Sequence, residues 1–76
     1  MRIAEVRAEK PGILYVVSRD GRRGNFDLNP FLKSEAFRPL NEWGEFCSVR
    51  NGGYFVEWNC GADLSADTIE AHWSVC

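Results

Sequence analysis

The sequence predicts an α+β domain: an antiparallel sheet of about five strands (two hairpins plus an N-terminal strand), an irregular central segment and one C-terminal helix. Three stretches carry this expectation. Asp20-Gly21 parts two extended runs, and Asn51-Gly52-Gly53 parts two more; such pairs favour tight hairpin turns because they tolerate positive φ. Ser65 stands before Ile69 and Trp73, whose four-residue spacing puts them on one helix face. Seventy-six residues allow a single compact domain, 1–76. A chain this short buries only about 60–65% of the surface its unfolded form exposes. Aromatic residues make up 13% of it, three of them tryptophans, so its small core is built from large pieces.

Taken in order, residues 3–8 read as a strand with Ala4, Val6 and Ala8 on one face. Pro11 restricts φ and Gly12 accepts positive φ, so the pair turns the chain. Residues 13–18, Ile-Leu-Tyr-Val-Val-Ser, have the strongest strand character. A two-residue turn at Asp20-Gly21 places Val17 opposite Gly24, Tyr15 opposite Phe26 and Ile13 opposite Leu28. Leu14 and Val16 then share the second face. Asn29-Pro30 favours a turn, Phe31-Leu32 a short helical turn, and Phe37 and Leu40 anchor the segment. Asn41 is the expected N-cap of another short turn, with Glu42 near its positive end.

In the second hairpin, a two-residue turn groups Cys47 and Val49 with Tyr54, Val56 and Trp58. Ser48, Arg50, Phe55 and Glu57 point the other way; a three-residue loop would alter this pairing. The chain then passes from strand to helix. Ser65 is the N-cap, Asp67 lies in the first turn, and Leu64 and Ile69 have hydrophobic-staple spacing. Asp63, soon after Gly61, suits an Asx-type turn. Asp20, Gly21, Trp58, Gly61, Asp63, Leu64 and Ser65 are thereby assigned structural roles, and no catalytic residue is assigned.

These residues also carry a family resemblance. Leu14, Tyr15, Val16 and Val17, the Asp20-Gly21 turn and Asp27-Leu28 are followed by Phe37, Leu40 and Phe46, and then by Trp58, Gly61, Asp63 and Leu64. In this order and spacing, over residues 13–69, the chain resembles the small, mostly bacterial family called domain of unknown function 2442. Where that family commonly shows Asp, this chain has Asn41, which keeps a capping role and weakens an ionic one. The resemblance implies a compact α+β domain without an established activity. Some members continue into a helix-turn-helix, and others look like partners in toxin–antitoxin-type gene pairs.

Composition narrows the chemistry. The net charge of −2 disfavours general nucleic-acid binding. The first fifty residues hold all nine basic side chains against seven acidic ones, while Glu57, Asp63, Asp67 and Glu70 leave the remainder acidic. Helix-dipole preference accounts for part of this bias; an acidic end that meets a basic partner is the other explanation. Cys47, Cys60 and Cys76 are odd in number and lack CxxC spacing, no apolar leader opens the chain, and its longest apolar run is five residues, 13–17. A cytoplasmic protein with free thiols and no membrane segment is expected. Cys47, Cys60, His72 and Cys76 are zinc-type ligands without zinc-type spacing, so neither metal nor cofactor is expected.

The leading expectation is a non-enzymatic interaction module. It would be a homo-oligomer or bind a small protein partner through Leu14, Val16 and Phe55. The alternative is an auxiliary nucleic-acid contact through Arg19, Arg22 and Arg23 at the first hairpin tip.

Overall fold

Loop length decides which side of each strand is buried, and the first hairpins show it. In the computed structural model, which describes Met1–Cys76, β1 (Ile3–Lys10) and β2 (Ile13–Ser18) are joined at Pro11-Gly12, with Gly12 at φ +80°. β2 and β3 (Arg23–Asp27) are joined by Arg19-Asp20-Gly21. The Ser18 N–H donates to the Arg22 carbonyl at 2.8 Å, the Gly21 N–H donates to Ser18 at 3.0 Å, and Gly21 takes φ +97°. This is a three-residue loop, a turn followed by a left-handed glycine, in place of the expected two-residue turn. Asp20 stabilises it: its Oδ1 accepts from Ser18 Oγ at 2.6 Å and from the Arg22 N–H at 3.1 Å.

The extra loop residue shifts the register by one. Leu14 pairs with Phe26, Val16 with Gly24, and Tyr15 with Asn25. Leu14 and Val16, expected on a surface available to a partner, are fully buried with Phe26 and Leu28. Ile13, Tyr15 and Val17 take the opposite face and are half-buried. β1 is irregular between Ile3 and Glu5, so Ile3 is buried, and Ala4, expected to share a face with Val6 and Ala8, is exposed while they are half-buried.

A fourth strand, β7 (Ser74–Val75), completes this antiparallel sheet in the order β1-β2-β3-β7. Gly24 admits it, because a Cβ there would fall on the Ser74 carbonyl.

The central segment forms two 3-10 turns, Asn29–Phe31 and Glu35–Asn41, and then α1 (Trp43–Phe46). Glu42, rather than Asn41, caps α1: its Oε1 accepts the Gly44 N–H at 3.0 Å. Asn41 instead closes the preceding turn, donating from Nδ2 to the Arg38 carbonyl at 3.0 Å. Leu40 is buried and Phe37 half-buried.

A second antiparallel sheet has the order β4 (Arg50–Asn51), β5 (Phe55–Glu57), β6 (Asp63–Ser65). The β4–β5 reversal falls at Gly53-Tyr54, with Asn51 opposite Val56 and Gly53 at φ +88°. Relative to the expected pairing the slip is two residues, and an even slip preserves the faces. Val56 and Trp58 are accordingly buried and Phe55 is outward, although Cys47 ends α1 and Tyr54 occupies the exposed tip.

Asn59-Cys60-Gly61 then repeats the first loop. The Trp58 N–H donates to Ala62 and the Gly61 N–H to Trp58, each at 3.0 Å, with Gly61 at φ +94°. Asp63 therefore lies in a strand opposite Glu57, exposed, instead of forming an Asx turn. The fold is α+β with antiparallel strands, as expected, but the strands number seven and form two sheets instead of one sheet of about five.

β6 leads directly into α2 (Ala66–His72). Ser65 caps it, its Oγ accepting the Thr68 N–H at 3.1 Å, and Leu64 and Ile69 are buried beside it. The two sheets are stitched together by the Ile3 N–H to Gly53 (2.6 Å) and Asn51 Nδ2 to Ile3 (2.9 Å), while the Ala66 N–H to Tyr54 (2.8 Å) extends the β5–β6 pairing to the start of α2. A row of rings, Phe26–Phe31–Phe37–Trp58–Phe46–Trp43, with successive centroids 5.9 to 6.4 Å apart, runs from β3 through the core to α1.

Replacing Ser65 by Ala removes the α2 cap. Urea unfolding should show a loss of about 0.5–2 kcal/mol, with Ser65→Thr retaining most of the wild-type stability.

Candidate interaction surface

The four-stranded sheet has one face on the core and one open. Register places three rows across the open face: Glu5, Val17 and Arg23; Arg7, Tyr15 and Asn25; Lys10, Ile13 and Asp27. The apolar members all come from β2 and form a central stripe. The flanking residues are exposed. The Arg7 guanidinium lies 4.5 Å from the Tyr15 ring centroid and pairs with Glu9 at 3.5 Å. Asp27 Oδ1 accepts from the Asn29 N–H and Nδ2, at 2.9 and 2.8 Å. Glu5, Lys10 and Arg23 form no ion pair within the chain.

Of the three residues expected to meet a partner, only Phe55 is outward, 40% exposed, over Gly52. Neighbouring Tyr54 is 64% exposed with the Arg2 guanidinium 5.4 Å from its ring centroid. The stripe on β2 was missed because the one-residue register difference exchanges the faces of that strand; a three-residue loop at Arg19-Asp20-Gly21 would have identified it.

The arginines at the first hairpin tip divide by role. Arg22 is committed to the fold: its Nε donates to Asp20 Oδ2 at 2.9 Å, its Nη2 to Glu70 Oε2 at 2.9 Å, and its guanidinium lies 5.8 Å from the Trp73 ring centroid. Glu70 Oε1 also accepts from the Met1 ammonium at 3.0 Å. The network ties the chain start, the hairpin tip and α2 together. Arg19 and Arg23 are exposed and form no ion pair.

Hydrogen bonds from Ser18 and the Arg22 backbone hold the Asp20 carboxyl below its usual range. The Met1 ammonium and then Arg22 do the same for Glu70, and Glu70 followed by Asp20 raises Arg22. A carboxylate lowered in the folded state stabilises above its unfolded pKa and loses that contribution as pH falls through the lowered value.

The three cysteines are free and exposed, and α2 ends at His72, so His72 and Cys76 do not share a helix face. No group of three His, Cys, Asp or Glu side chains is placed to hold a metal. Glu45 Oε2 accepts the Cys60 N–H at 2.7 Å, and Ser48 Oγ accepts the Asn59 N–H at 3.1 Å, fastening the β5–β6 loop to α1. No helix is long and apolar enough to cross a membrane.

On acidification, stability should be level above pH 4.5, the ordinary value for Glu70, and then decline as Glu70 and Asp20 protonate. Thermal melts from neutral to acid pH should show a shallower decline for Glu70→Gln, which already lacks the charge.

No curated protein and no solved structure matches the chain. The family profile described as "Protein of unknown function (DUF2442)" matches residues 3–74. Covering nearly the whole sequence, that match places the chain in this family.

Proposed function

We propose that the domain acts by surface recognition, as a non-enzymatic protein-interaction module whose contact surface is the open face of the four-stranded sheet. One observation carries this reading: Ile13, Tyr15 and Val17 stand side by side at the centre of that face within a charged rim. An apolar centre inside a polar border is the usual anatomy of a protein–protein contact. The rim favours a protein over a nucleic acid. Glu5, Glu9 and Asp27 balance Arg7, Lys10 and Arg23, so the face offers no net field for a polyanion. A partner or antitoxin-like role in a small bacterial gene pair would use the same face.

The nucleic-acid alternative keeps only Arg19 and Arg23, since Arg22 is engaged by Asp20 and Glu70.

A tagged full-length chain should capture a stoichiometric protein, a second copy included, from its source lysate. Tyr15→Ser should abolish that capture, and Arg19→Glu should leave it intact. Capture indifferent to Tyr15→Ser would contradict the assignment of the surface. Salt-sensitive binding of random RNA or DNA that disappears in Arg19→Glu would favour the alternative.

A further inference from the structure

Building on the open face as an interaction surface, we propose that its occupant is a second copy of this chain, packed face to face about a two-fold axis parallel to β2. The charges on the rim point to this arrangement. Such an axis leaves the rows in place and exchanges their ends, so that β1 of one copy lies over β3 of the other.

In the first row, Glu5 of each copy then meets Arg23 of its partner, and Val17 meets Val17. In the third, Lys10 meets Asp27 while Ile13 meets Ile13. In the middle row, Tyr15 meets Tyr15, and Arg7 meets the neutral Asn25. All four charged ends of the outer rows find the opposite sign, and the apolar stripe falls on the axis. An isologous contact requires this kind of self-complementarity.

The ion-pair inventory supports the arrangement. Three arginines have internal acidic partners, Arg7 with Glu9, Arg22 with Asp20 and Glu70, and Arg50 with Glu57, while Arg2, Arg19 and Arg38, outside these rows, have none. Glu5, Lys10 and Arg23 have none, and Asp27 uses Oδ1 for Asn29, leaving Oδ2 free. Stacked sheets pack about 10 Å apart, a distance that long charged side chains at the ends of the rows can span. The flat footprint is small, roughly 300 Å² per copy from strand spacing and rise. Against about 800 Å² per partner in a standard interface, a dimer on this footprint is weak, reversible and concentration-dependent.

Sedimentation equilibrium tests the proposal on the full chain, from about 10 μM to about 1 mM, for wild type, Glu5→Arg, Arg23→Glu and the double variant. Both sites are exposed, and circular dichroism should confirm that each variant is folded. The wild type should approach the mass of two chains. Each single variant sets like charges against each other and should dimerise at least about tenfold more weakly, and the double variant, which restores opposite signs, should recover.

A wild type that keeps the mass of one chain throughout, or a double variant no tighter than the singles, would overturn the proposal. A monomeric wild type that still captures a different protein in a Tyr15-dependent manner would overturn the second copy alone and leave the interaction surface standing. A dimer unaffected by these charges would overturn the geometry.

Discussion

Trp58 is the residue on which the two sheets depend. It is 1% exposed, and its ring lies in the aromatic row between Phe37 and Phe46. Its indole N–H donates to the Phe46 carbonyl at 3.0 Å, inside the core. Its backbone closes the Asn59-Cys60-Gly61 loop in both directions, donating to Ala62 and accepting from Gly61. One side chain therefore joins the second sheet to α1 and, through Phe37, Phe31 and Phe26, to the first sheet. A large ring buries 150–250 Å², which matters most in a domain with a small core, where net stability is a narrow difference between large terms.

Around this anchor, polar side chains hold backbone geometry. Asp20, Asp27, Glu42, Glu45, Asn51 and Ser65 each accept a backbone N–H at a turn, cap or loop, and the Met1–Glu70–Arg22–Asp20 network pins α2 to the opposite end of the chain. The two Asp and Ser sites are the short side chains that favour such positions. With these groups occupied in shaping the chain, the outward face of the four-stranded sheet, with its apolar stripe, is the surface proposed for recognition; Trp43, Tyr54, Phe55 and Val75 are the large apolar side chains exposed elsewhere.

The sequence was informative where a signal was local. The Pro11-Gly12 turn, the Ser65 cap with its Leu64–Ile69 staple, and the outward Phe55 all follow from short-range chemistry. The register of the first hairpin was not legible, because Asp20-Gly21 suits both a two-residue turn and the end of a three-residue one, and parity then exchanges Leu14 and Val16 with Ile13, Tyr15 and Val17. The second hairpin tolerated its displacement because the slip was even. β6 and β7, three and two residues long, are too short to show a period. Their only marks are Gly61 in the same loop position as Gly21, and Gly24, whose missing side chain makes room for β7. The candidate surface on β2 inherited the parity error of the first hairpin, so its position became legible only with the register.

Urea unfolding of Trp58→Phe tests most directly whether the buried indole unites the two sheets. Phe keeps an aromatic ring but removes the N–H and part of the volume. The structure predicts a loss of at least about 2 kcal/mol, combining a broken buried hydrogen bond with a cavity beside Phe37 and Phe46. A Trp58→Phe chain with the unfolding midpoint and slope of the wild type would contradict that role.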